Sequence, residues 1–160
     1  MLTDYTTYND VRAALGVSEE DIPDAVLSLN LYGDMLTQEF EEISLTIESD
    51  YLTTIALPIP TDTEVRFISA CSLFATYSVA RQLTAAMPLF AAKQVTDGKA
   101  QVSRFDNPYK DVIAQVTAQY EKARSRLVAA YGLIVSVTTV VAPKVYFGVV
   151  SPSVDPVTGS

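Results

Sequence analysis

The chain contains no histidine and no tryptophan, one cysteine, and six glycines scattered over 160 residues. Each shortage excludes a class of chemistry. Without histidine there is no Ser-His-acid or Cys-His nucleophile system, and most catalytic zinc sites lose their usual ligand. The lone thiol, Cys71, has no partner for an internal disulfide. It sits in the apolar run Phe67 to Ala80, where a small buried hydrophobe is expected. Scattered glycines build no phosphate-cradling loop. The adjacent Glu41 and Glu42 point to different sides of a helix and make a poor acid pair, and Glu19-Glu20-Asp21 lacks the spacing of a calcium loop. No catalytic residue, cofactor or metal is expected, and the chain reads as a non-enzyme.

Positive charge is also scarce. Eleven Lys and Arg stand against nineteen Asp and Glu, a formal net charge of -8. Residues 1–62 hold thirteen acids and a single base, Arg12, while residues 63–160 hold six acids and ten bases. Such halves either neutralise each other within one domain or steer head-to-tail contact between like subunits. Phosphate affinity needs clustered bases, so direct DNA binding is disfavoured. No membrane role is expected. The first ten residues carry no Lys or Arg, as a secretory leader would, and the uncharged run Leu127 to Ala142 is shorter than the ~20 residues a spanning helix needs and is split by Gly132.

What is present is apolar patterning: 49% of residues are hydrophobic and 19% charged, a composition that forms a packed core. Thr7, an acid at Asp10 and Gly16 bracket a short helix over residues 8–15. Ser18 before Glu19-Glu20-Asp21 reads as a second helix start, with Pro23 in its first turn. Leu36, Phe40 and Ile43 step by four and three, so a helix is expected from about Asn30 to Thr46, with Glu39, Glu41, Glu42 and Glu48 forming an acidic outer surface. Pro58 and Pro60 suggest a loop over residues 51–60.

Thr61 and Glu64 form a capping box opening a long helix, about Asp62 to Ala86, closed near Pro88. That helix is apolar around nearly its whole circumference, so it should be buried on all sides, with a neighbouring subunit supplying the remaining cover. Asp97-Gly98 between β-prone runs signals a hairpin over residues 93–105. Its polar flanks suggest an exposed projection or subunit interface carrying Lys93, Asp97, Gly98, Lys99 and Arg104.

Asp106 or Asn107 should cap the last helix with Pro108 in its first turn. Tyr109, Ile113, Val116, Tyr120, Ala123, Leu127 and Ala130 repeat as one helical stripe, and Gly132 is the expected stop. Beyond it, β-formers lead to Val145, Tyr146, Phe147, Val149 and Val150, a hydrophobic segment suited to insertion into, or strand addition onto, another chain, or else to packing on its own bundle. The expected architecture is therefore mainly α: a helical bundle over residues 1–132 with an exposed β-hairpin, then an extended C-terminal arm over residues 133–160.

Three segments carry a resemblance. They are Asp10-Val11-Arg12-Ala13-Ala14-Leu15-Gly16-Val17-Ser18 leading into Ile22-Pro23-Asp24, then Thr96-Asp97-Gly98-Lys99-Ala100 with Arg104-Phe105, then Tyr120-Glu121-Lys122-Ala123-Arg124. Over residues 8–131 the chain resembles the head-tail connector (adaptor, or head-completion) proteins of tailed bacteriophages. The resemblance implies a structural protein of the virion neck, made in the host cytoplasm. It implies a homo-oligomeric ring, usually dodecameric, bound to the portal protein above and to a tail or nozzle protein below. It also implies an arm that docks on the portal or a neighbouring subunit, and a lumen that passes genomic DNA without binding its sequence. The alternative is a small helical regulatory or binding protein of a bacterial cell.

Overall fold

The computed structural model describes residues 2–90, 94–97, 100–103 and 110–138, with side chains described over 2–85 and 110–135. It is mainly helical. A 3-10 turn at Leu2–Asp4 leads into α1 (Tyr8–Leu15), α2 (Asp24–Leu27), α3 (Asn30–Glu41), α4 (Ile47–Ile55) and the long α5 (Asp62–Phe90). Two short strands, β1 (Gln94–Asp97) and β2 (Ala100–Ser103), precede the second long helix, α6 (Lys110–Thr138).

Local chemistry sets several of these boundaries. Thr7 Oγ1 accepts from the amide of Asp10 at 3.1 Å while the Asp10 carboxylate accepts from the amide of Thr7, a reciprocal cap on α1. Gly16 ends that helix at φ 69°, a left-handed conformation that glycine adopts without a steric penalty. Thr61 and Glu64 cap α5 in the same reciprocal way.

The segment after Ser18 departs from expectation. Ser18 donates through its amide and hydroxyl to Asp21, but residues 19–21 form a turn and α2 begins only after Pro23. The physical reason is that a proline disfavours helical geometry in the residue before it. Helix α3 stops at Glu41 rather than near Thr46. Part of the expected 51–60 loop is helix α4, which ends at Ile55 before Pro58 and Pro60 can interfere. It forms because Ile47, Tyr51 and Thr54 lie on one face and are all buried.

Helices α5 and α6 lie antiparallel. Phe67 meets Tyr131 with ring centroids 5.6 Å apart, and Phe74 meets Tyr120 at the same spacing. Around α5, the residues Phe67, Cys71, Phe74, Ala75, Val79 and Ala80 are fully buried. Their cover comes from α6, α1, α4 and α3 of the same chain. Over residues 62–85 of this helix the same chain supplies the cover, and only Val65 and Leu73 among the described large apolar residues stay exposed. The aromatic path continues from Phe74 to Phe40 at 5.3 Å and from Phe40 to Tyr5 at 4.9 Å, linking the long helices to the N-terminal layer.

The stripe expected on α6 packs inward at Val116, Tyr120, Ala123 and Leu127, joined by Tyr131. Gly132 does not stop the helix: α6 runs through it to Thr138, held by Tyr131 and the half-buried Ile134 against the core. The first residues assigned to the arm, 133–138, are thus helix. Helix α5 likewise continues past Ala86 to Phe90, with Pro88 in its last turn. Strands β1 and β2 pair antiparallel, with Gln94 opposite Ser103 and Asp97 opposite Ala100. Lys93, Gly98, Lys99, Arg104 and the exposure of this pair lie outside the described residues, as does residue 139 onward.

Candidate functional site

The polar side chains with the most connections act between helices. Arg12 is buried, and its guanidinium donates to the carbonyl of Ile22 at 2.8 Å, to Asn9 Oδ1 at 3.0 Å and to the Asp24 carboxylate. The single base of the acidic half is therefore spent on closing the 16–24 loop onto α1. Glu48 accepts from Tyr5 Oη and from Thr37 Oγ1, each at 3.0 Å, tying the N-terminal turn and α3 to α4. Burial, then the Glu48 charge, holds the Tyr5 hydroxyl well above its ordinary range. Tyr51 Oη donates to the carbonyl of Asp4 at 2.9 Å.

A second junction joins α3, α5 and α6. Arg81 donates to Glu39 Oε1 at 2.8 Å and stacks over the Tyr120 ring at 3.8 Å from its centroid. At the far end, Tyr131 Oη donates to Asp50 Oδ2 at 2.7 Å and shares hydrogen bonds with Thr46 Oγ1 at 2.7 Å and Ser44 Oγ at 3.1 Å. These contacts dock α6 onto the start of α4.

The expected acidic surface is accordingly only half right. Glu41 and Glu42 are exposed at the end of α3. Glu39, with 12% side-chain exposure, turns inward to Arg81, and Glu48 belongs to α4 and turns toward Tyr5 and Thr37. Both were placed outside because they fall off the apolar stripe; what draws them in is a polar partner distant in sequence. Of the expected hairpin contacts Lys93, Asp97, Gly98, Lys99 and Arg104, the structure describes the backbone of Asp97 alone. The arm residues Val145, Tyr146, Phe147, Val149 and Val150 lie outside the described residues.

Burial pushes the Cys71 thiol up to about 12, so the thiolate that would react is scarce at neutral pH. Among the described residues no group of His, Cys, Asp or Glu is arranged to hold a metal ion, and no helix is long and apolar enough to cross a membrane. The described concavities are open grooves. One is lined by Ile43, Ser44, Asp50, Tyr131 and Ile134, with its polar groups already engaged with one another. Sequence reasoning missed the tyrosine hydroxyls; their signal was tyrosine recurring at apolar positions of helical stripes, as at Tyr51, Tyr120 and Tyr131.

Comparison with protein families, with curated proteins and with solved structures finds no match for this chain.

Proposed function

We propose that this chain is a structural neck protein of a tailed bacteriophage, forming a ring on the portal that joins head to tail and lets the genome pass. The observation that carries the reading is the unit spanning Thr7 to Asp24. The first segment of the resemblance is one physically closed motif: a reciprocal Thr7–Asp10 cap, a left-handed Gly16, and Arg12 reaching Ile22 and Asp24. Its two parts, separated in sequence, are welded by a single buried cation.

In this reading the hairpin over residues 93–105 projects toward a partner or neighbouring subunit, and the arm containing Val145 to Val150 makes the attachment. Exposed acids such as Glu41 and Glu42 suit a DNA-passing assembly, since like charge keeps a polyanion from sticking. The partners are the portal, a tail or nozzle protein, and further copies of the chain in a ring, usually dodecameric. The place is the virion neck, reached after synthesis in the host cytoplasm.

A second reading, a small helical regulatory or binding protein, draws support from one finding: the core around α5 closes within a single chain. The mass of the purified protein in solution, with electron-microscope images of mixtures with the portal, separates the two. A symmetric ring, alone or on the portal, is expected. A monomer that ignores the portal would sink the neck reading in favour of the second.

A further inference from the structure

The corner between α4 and α5 is unusually apolar for a surface. Leu52, Ile55, Leu57, Ile59 and Val65 are all exposed, and Ile59 keeps 86% of its surface open. Scattered apolar residues on a surface need no explanation, but five large ones within fourteen positions do.

The antiparallel register of the long helices says what the corner lies beside. Tyr131 stands level with Phe67. From Tyr131, α6 rises about 10 Å further to Thr138, while from Phe67, α5 descends about 8 Å to its start at Asp62. The end of α6 therefore arrives at the level of residues 59–61, the same end of the bundle as the exposed corner. The chain continues from that point with a run whose apolar residues are Val145, Tyr146, Phe147, Val149 and Val150. Seven steps separate Thr138 from Val145, a reach of at most about 24 Å. A segment tethered that closely can reach this end of the bundle at an effective concentration on the order of millimolar.

We infer that the corner formed by Leu52, Ile55, Leu57, Ile59 and Val65 is the seat of the chain's own segment Val145 to Val150. The contact is internal to one chain, so it stands or falls without reference to any portal. It closes an apolar surface in the free protein, and any partner that takes the segment must first compete with this seat.

Lys144 supplies the test, because it is the only Lys or Arg after Arg126 and immediately precedes the segment. Trypsin cleavage at Lys144, followed by mass spectrometry of the released 145–160 fragment, reports whether the segment is seated. The full chain is compared with its Ile59→Ser variant, a change at an exposed position that leaves the core intact. Cleavage is expected to be at least tenfold slower in the native chain, with the protection unchanged on hundredfold dilution of the protein. Protection that disappears on dilution would assign the seat to a second copy's segment and overturn the internal contact. Equal cleavage rates in the two proteins would overturn the seat altogether.

Discussion

The N-terminal layer and the α5–α6 pair bury apolar side chains in one core, but the layer adds a denser set of polar ties. The long pair meets through aromatic and aliphatic side chains, Phe67 on Tyr131 and Phe74 on Tyr120, with Leu127 and Val79 fully buried. Its stability comes from removing apolar area from water. The N-terminal layer is built of helices of four to twelve residues, too short to persist alone. It is fastened by specific polar contacts: Arg12 to Ile22 and Asp24, Tyr5 and Thr37 to Glu48, Thr6 Oγ1 to Thr76 Oγ1 at 2.6 Å. The difference shows how an acidic half, poor in long apolar stripes, can still be ordered. Its own buried residues, among them Val11, Leu27, Leu36, Phe40 and Ile47, join the core of the long pair, and a few hydrogen bonds fix its position there.

The comparison predicts a ranking of effects. Phe74→Ala removes a fully buried ring that touches both Phe40 and Tyr120, and it should cost about 3–5 kcal/mol in urea-induced unfolding. A loss near zero would mean that this ring is not part of the shared core. Arg12→Met keeps the bulk of the side chain but leaves the Ile22 carbonyl without its donor, for a loss of about 2–3 kcal/mol. Hydrogen exchange should localise the damage to residues 8–27. Damage spread equally over α6 would erase the distinction between the two regions.

The smallest expected change comes from Tyr5→Phe, about 1 kcal/mol at neutral pH for the lost bond to Glu48. This variant also has a pH signature. The Tyr5 pKa is raised in the fold by burial and by the Glu48 charge, so its contribution is fully present below the unfolded tyrosine pKa of about 10 and is lost as pH rises beyond it. Replacing Tyr5 should therefore flatten the alkaline limb of the stability curve. An unchanged limb would show that the hydroxyl is not strained against ionisation.

Features set by neighbours in sequence were legible before the structure. The Thr7–Asp10 and Thr61–Glu64 boxes, the Gly16 stop and the inward face of α6 all depend on residues within about a turn or on helical periodicity. Features set by distant partners were not. Glu39 looked like a surface acid because Arg81 lies 42 positions away. Helix α4 was hidden because its inward face includes Thr54, whose hydroxyl is satisfied by its own helix at the Asp50 carbonyl, a fact no hydropathy pattern records. Gly132 promised a helix end, but a glycine terminates a helix only where the backbone turns left-handed, and here Tyr131 and Ile134 are worth more packed in register. The candidate site was least legible of all, since its contacts join residues far apart in the chain, as Tyr131 and Asp50 are at 81 positions.

Arg81 joins three helices through one side chain. One guanidinium is held edge-on by the Glu39 carboxylate of α3 and face-on by the Tyr120 ring of α6, while its backbone belongs to α5. Lysine, a compact point charge, could pair with the acid but could not also present a flat face to the ring. Because both contacts share one group, a shift of any of the three helices disturbs a contact of Arg81. The N-terminal layer and the long pair thus meet at one shared side chain.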